Sequence, residues 1–243
     1  MFQFKQFTIH QDRTAMKVGT DGVLLGAWAP IDPTASRLLD IGTGTGLIAL
    51  MIAQRLQSAD DKLEIDAIDI DQSSIEQAAE NIANSPFARY ITTHHTSLQD
   101  HNPEAKYDAI VCNPPYFVAS LKCPNAARTQ ARHTDSLSFD DLLLHSSRLL
   151  NDGGSLSVVL PINEGNQLIE LAQKYGFSLT HLTEIHPTPT APPKRLLMQF
   201  VMRNSQLNYS SLLISHTSLT IEISRHQYTP EYIALTRDFY LKM

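Results

Sequence analysis

From about residue 37 onward, short runs of aliphatic and β-branched residues alternate with stretches whose apolar positions recur every three or four residues. That alternation predicts an α/β fold, a doubly wound and mostly parallel seven-stranded sheet. The expected strands are 37–41, 63–69, 89–93, 107–113, 155–160, 177–186 and 196–203, with helices over 46–57, 72–84, 139–150 and 164–175. In the second helix Ile75, Ala78, Ala79 and Ile82 form one apolar stripe suited to a sheet face. Ser138 with Asp141 three positions on marks the start of the third, and Asn151-Asp152-Gly153-Gly154 ends it with a turn. The proline-rich stretch 186–193 reads as a surface loop. Residues 1–36 are expected as an N-terminal extension, 37–205 as the core and 206–243 as a C-terminal segment of mixed signals, all in one domain of 243 residues.

Composition narrows the function classes. Hydrophobic residues make up 42% and charged residues 18%, enough apolar surface for a packed core and too much for a disordered chain. No apolar run approaches a membrane span and no signal segment is evident, so a cytoplasmic protein is expected. Cys112 and Cys123 lack metal-ligand spacing and the adjacent His94 and His95 stand far from other ligand types, so no metal is expected. The net charge of −6 by itself argues against a nucleic-acid partner. Nothing in the sequence fixes the oligomeric state.

The first strand runs into Asp40-Ile41-Gly42-Thr43-Gly44-Thr45-Gly46 and then an apolar helix. Glycines at alternate positions let a ligand lie against bare backbone at the carboxyl end of a strand, where open α/β sheets bind ligands. The spacing is G-x-G-x-G, with Leu47 where a dinucleotide loop wants its third glycine. Asp69, at the end of the second strand, is placed to accept ribose hydroxyls, and Ile70 to pack on an adenine face. These features point to an adenosyl-ribose cofactor.

The fourth strand ends in Asn113-Pro114-Pro115-Tyr116-Phe117. Two prolines stop the strand and stiffen its tip. The Asn113 amide oxygen and the Pro114 carbonyl would accept both hydrogens of an exocyclic amino group, and Tyr116 offers an aromatic face. An amine held in this way needs positioning beside an electrophile more than it needs a general base. Cys112, inside the strand, reads as a small core residue.

The D-x-G-x-G-x-G loop with an acid after the next strand resembles the class I S-adenosylmethionine-dependent methyltransferases. The resemblance implies S-adenosylmethionine as cofactor, with Asp40, Gly42, Gly44 and Gly46 along its methionine and ribose, Asp69 on the ribose hydroxyls and Asn113 nearby. It also implies adenine contacts after the third strand, where this chain has Ser97 and Leu98; if Ser97 takes the usual acid's position, Asp100 is the substitute carboxylate. Asn-Pro-Pro-Tyr resembles the motif of amino-methyltransferases, making Asn113, Pro114 and Tyr116 the catalytic candidates.

The N-terminal blocks Phe4-Lys5-Gln6-Phe7 and Ala15 to Trp28 are similar to the opening of the bacterial tRNA1(Val) adenine-37 N6-methyltransferases. Ser120 to Pro124, Ala131 to Asp135 and Pro193-Lys194-Arg195 extend the likeness over nearly the whole chain. It implies methyl transfer to N6 of an anticodon-loop adenine in tRNA, with Thr20, Asp21 and Leu24 or Leu25 near the cofactor. A protein-glutamine N5-methyltransferase shares the chemistry but normally carries a helical domain ahead of the core. A non-catalytic cofactor-binding module would not need Asn113.

Charge distribution then revises the inference from net charge. Residues 56–108 hold 11 acids and 3 bases, leaving 14 acids and 16 bases elsewhere. Segments 117–134 and 185–221 carry no acid and contribute Lys122, Arg128, Arg132, Lys194, Arg195 and Arg203. Such segments suit phosphates. Phe117, Lys122, Arg128, Arg132, His133, Lys194 and Arg195 are therefore the expected RNA-binding residues, with Phe117 and Tyr116 stacking on a splayed base.

Overall fold

The computed structural model describes residues 1–57, 62–115, 137–203 and 213–242. Its center is an eight-stranded sheet, built from β3 (Arg37–Ile41), β4 (Glu64–Asp69), β5 (Ile91–His95), β6 (Tyr107–Cys112), β7 (Leu150–Pro161), β8 (Phe177–His186), β9 (Arg195–Met202) and β10 (Ser215–Thr220). Their order across the sheet is β10-β8-β9-β7-β6-β3-β4-β5. Only β9 runs antiparallel to its neighbours. All seven expected strands are present, and β10 adds an eighth, parallel to β8. β5 begins two residues later than expected because 88–90 form a 3-10 turn. β7 begins earlier, at Leu150. The expected turn at 151–154 is kept as an interruption of its ladder, where Tyr107 pairs with Leu150 and Ala109 already with Ser155.

Strand residues alternate between two cores, as the two-residue period of a strand dictates. Leu38, Ile65, Val111 and Val159 face one core with α1 (Thr20–Trp28), α2 (Leu47–Leu56) and α3 (Gln72–Ala83). Leu39, Ile110 and Val158 face the other with α4 (Phe139–Leu149) and α5 (Ile162–Ala172). Helices on both faces make the sheet doubly wound. The predicted start of α4 holds: the Ser138 hydroxyl oxygen accepts from the Asp141 amide at 3.0 Å, and its hydroxyl donates to the Asp141 carboxylate at 2.7 Å.

The chain's two ends belong to the first core. α1 packs on α2 through Gly22 and Gly26; a Cβ at Gly26 would lie 2.8 Å from Met51 Sδ and 3.0 Å from its Cβ, so a side chain there would force Met51 to move. Arg55 of α2 donates to the Gly26 and Ala29 carbonyls, 2.8 Å each, satisfying the end of α1. The short strands β1 (Phe2–Gln3) and β2 (Thr8–Ile9) form a hairpin whose Phe4 stacks on Tyr240 at 5.8 Å. Residues of the C-terminal segment thus pack against the first ones: the Lys5 amide donates to the Phe239 carbonyl at 2.7 Å. Beyond β10 that segment holds β11 (Glu222–Ser224), β12 (Gln227–Tyr228) and α6 (Pro230–Thr236). Among the described residues no helix is long and apolar enough to cross a membrane.

Candidate active site

β3 and β6 lie side by side, yet the chain leaves them in opposite directions, β3 toward β4 and β5, β6 toward β7. A sheet of this kind opens a crevice at the carboxyl ends of those two strands. There the structure has a cavity of about 870 Å³. Its walls come from residues 14–22, the glycine loop, 68–71, 96–100 and 112–115, with Leu137 and Arg195 at the edge.

The glycine loop turns through left-handed backbone at Gly42 (φ 68°) and Gly44 (φ 57°), conformations that disfavour any side chain. A Cβ at Gly42 would meet nothing within 4 Å, so bare backbone faces open space. Two expected cofactor residues lie behind this wall. Gly46 (φ 81°) caps α2 and packs toward Ala78 and Ile82 of α3. Asp40 is fully buried and off the cavity wall. One of its oxygens accepts from the Thr43 hydroxyl at 2.7 Å and the Ala49 amide at 3.2 Å, so it braces the loop from beneath. Burial pushes the Asp40 carboxyl up to about 7, against the opposing pull of those two hydrogen bonds.

Asp69 does reach the cavity. Its Oδ2 accepts from the Gly44 amide at 2.9 Å and its Oδ1 from the Asp71 amide at 3.0 Å. Each oxygen keeps a further lone pair, so the carboxylate links both loops and still has capacity for two hydroxyls. Ile70, 57% exposed, presents an apolar surface at the cavity edge large enough for a flat ring. A residue that sequence reasoning missed supports it: His95 Nε2 lies 3.0 Å from the Ile70 carbonyl. Its neighbour His94 turns the other way, 2.7 Å from the Asp66 carboxylate. Ser97 and Asp100 both line the cavity and pair with each other, the Ser97 hydroxyl donating to Asp100 Oδ2 at 2.7 Å. Leu98 is buried against the same wall, and Thr20, at the start of α1, closes the cavity from the opposite side. Leu24 and Leu25, by contrast, are buried in the core and do not reach it.

Asn113 and both prolines line the cavity directly after β6. The Asn113 Oδ1 is buried and has no hydrogen-bond partner among the described residues. An orphaned buried acceptor costs on the order of 1–3 kcal/mol, which a ligand's donor would recover. Cys112 beside it is buried, and burial pushes its thiol up, so it stays protonated and unreactive at neutral pH. Arg195 lines the edge, with its Nε 2.8 Å from Asp21 Oδ2. Lys194 is exposed and off the cavity. Tyr116, Phe117, Lys122, Arg128, Arg132 and His133 lie outside the described residues.

The donor set suits S-adenosylmethionine: bare glycine backbone for an extended amino-acid chain, a carboxylate for a ribose, an aliphatic face for a purine, and an unpaired amide oxygen for an incoming amine. Fold and site together define a class I S-adenosylmethionine-dependent methyltransferase. The family model for the methyltransferase small domain matches residues 23–178. A crystal structure of a predicted O-methyltransferase from Agrobacterium tumefaciens superposes with a TM-score of 0.63 at 21% identity, covering 90% of this chain and 96% of that one. The tRNA1(Val) (adenine(37)-N6)-methyltransferase of Parabacteroides distasonis is 50% identical over 100% of this chain and 98% of its own length. The enzyme of the same name from Phocaeicola vulgatus is 48% identical over 100% and 98%. The chain belongs to the tRNA1(Val) (adenine(37)-N6)-methyltransferase family.

Proposed function

We propose that this enzyme methylates the exocyclic N6 of adenine 37 in the anticodon loop of tRNA1(Val), and that its 243 residues act as one methyltransferase domain. The observation that carries the reading is Asn113 on the wall of the cavity, its buried Oδ1 without a partner among the described residues. S-adenosylmethionine, when bound, supplies an electrophilic methyl group. Gly42 and Gly44 would hold its amino-acid portion, Asp69 its ribose, and Ile70, Ser97, Leu98 and Asp100 its adenine, with Thr20 closing over it.

Asn113 Oδ1 would accept one hydrogen of the target amine and the Pro114 carbonyl the other. With both hydrogens engaged, the nitrogen's lone pair stays free, and rotation of the amine is stopped before transfer. Pro114 and Pro115 keep the two acceptors rigid, so no ordering cost falls on the reaction itself. The proton shed after transfer passes to water, and the reaction calls for no metal. Tyr116 and Phe117 would stack on the splayed base. Lys122, Arg128, Arg132, His133, Lys194 and Arg195 would meet phosphates around it. A tRNA substrate puts the enzyme's work in the cytoplasm. The glutamine-methyltransferase and non-catalytic readings give way to the tRNA reading because the relatives that share this chain's full length carry the tRNA name.

The test is incubation with labelled S-adenosylmethionine and total tRNA from a strain lacking this protein, followed by nucleoside analysis. Label is expected in N6-methyladenosine; label in another nucleoside, or none, overturns the assignment. In the same assay Asn113→Ala is expected to slow transfer by about a hundredfold or more. Its affinity for S-adenosylhomocysteine should stay within a few-fold.

A further inference from the structure

Residues 10–19 connect β2 to α1 and cross over α3 on the way, and their second half, from Thr14 to Gly19, forms one wall of the cavity. The crossing is held by one residue above all. Asn81 of α3 is 1% exposed, and its side-chain amide makes three hydrogen bonds. Its Oδ1 accepts from the His10 amide at 2.8 Å, while its Nδ2 donates to the His10 carbonyl at 2.9 Å and to the Thr45 carbonyl at 2.9 Å. The pairing with both backbone groups of His10 copies what a neighbouring strand would do. The third bond reaches the glycine loop.

Other bonds support the crossing without reaching that loop. Gln77, one turn earlier, accepts from the Arg13 amide at 3.3 Å. Arg13 and Glu80 form an ion pair at 2.5 Å that is largely exposed, and exposed pairs contribute little. The strap is closed on itself, since the Val18 amide donates to Gln11 Oε1 at 2.8 Å and the Thr14 hydroxyl to the Met16 carbonyl at 2.9 Å. These bonds tie the residues next to His10 to the stretch that lines the cavity. A helix facing a core has no use for a buried amide, whose desolvation is offset only if its partners stay in place.

We propose that Asn81 is a positioning residue that fastens the N-terminal strap to the glycine loop, so that both walls of the cofactor cavity are set together. The proposal rests on reading that cavity as the S-adenosylmethionine site. Asn81 touches no reacting atom; it acts through His10 and Thr45. Its removal should loosen the cofactor site more than the transfer step.

The test compares the wild type, Asn81→Ala and the control Arg13→Ala, which removes only the exposed pair. By calorimetry with S-adenosylhomocysteine, Asn81→Ala is expected to weaken binding by about tenfold or more. KM for S-adenosylmethionine should rise in step, with kcat at saturation within about threefold of the wild type. Arg13→Ala should bind within about twofold of the wild type. A folded Asn81→Ala protein with wild-type affinity overturns the proposal, and so does a loss confined to kcat. Should Asn81→Ala fail to fold, hydrogen exchange on the wild type decides. Amides of 10–19 and 42–46 are expected to slow together when S-adenosylhomocysteine is added, and protection of the glycine loop alone overturns the coupling. A wild-type protein that binds no S-adenosylhomocysteine instead sinks the reading of the cavity.

Discussion

Asp40 gives up solvent entirely, and only one of its two oxygens has partners among the described residues. With the folded carboxyl near 7 and the ordinary value near 3.8, the folded protein keeps a proton that the unfolded chain releases. For a carboxyl raised in this way the favourable contribution is complete below about pH 4 and is lost as pH rises toward and through about 7. Asp40→Asn removes that titration. The variant should gain on the wild type as pH rises across this window, by an amount on the order of a few kcal/mol. Thermal midpoints of both proteins measured from about pH 4 to about pH 9 check this, and parallel profiles would refute it. The residue's place could not be read in advance. In a parallel strand covered on both sides nearly every position is buried, so alternation does not say which face an acid takes. Asn113 stood out in the sequence because two prolines next to an amide leave few structural uses for it, and the residue lines the cavity.

Among the elements, α1 and α3 show where periodicity succeeds and where it stops. Of the expected stripe Ile75, Ala78, Ala79 and Ile82, three residues are buried on α3, while Ala79 at its margin is only half-buried. The same helix buries Gln77 and Asn81 on another side, and polar residues at helical spacing read as solvent-facing unless a covering segment is known. The helix α1 is hydrophobic nearly all round, so it shows no stripe to detect. Its packing depends on missing side chains at Gly22 and Gly26. Gly26→Val would drive a branched side chain into Met51, itself fully buried. A loss of about 1–3 kcal/mol is expected from overpacking of this kind. Chemical denaturation midpoints, with Gly19→Ala at the open start of the helix as a control, would measure it; equal midpoints for Gly26→Val and the wild type would mean that the helices are not in close contact. The outer ends of the segments 1–36 and 206–243 were the least legible because they pack on each other. The contact between Phe4 and Tyr240 spans nearly the whole chain, and no local pattern encodes it.

Along the whole sequence the acidic excess is concentrated rather than spread. The stretch 56–108 holds 11 of the 25 acids, while Lys194 and Arg195, at the start of β9, have no acid near them in sequence. Net charge alone therefore does not describe the charge of any one segment. Lys194 is exposed, and its expected work is with a phosphate. Lys194→Ala should weaken tRNA binding and lower the salt slope of log affinity by about 1, measured by titration at several salt concentrations. An unchanged slope would remove Lys194 from the interface.

β9 enters the sheet against the direction of all the other strands, so the turn that precedes it comes out on the same rim as the carboxyl ends of its parallel neighbours. After β3, β4 and β7 the connection leads into a helix that must return across the sheet, and altering it disturbs a crossover. Between β8 and β9 the connection is a hairpin, whose length changes at little cost in closure entropy and leaves the register of both strands intact. The fold thus carries an adjustable contour at the edge of its cavity, whose length can change while the glycine loop and Asp69 stay in place.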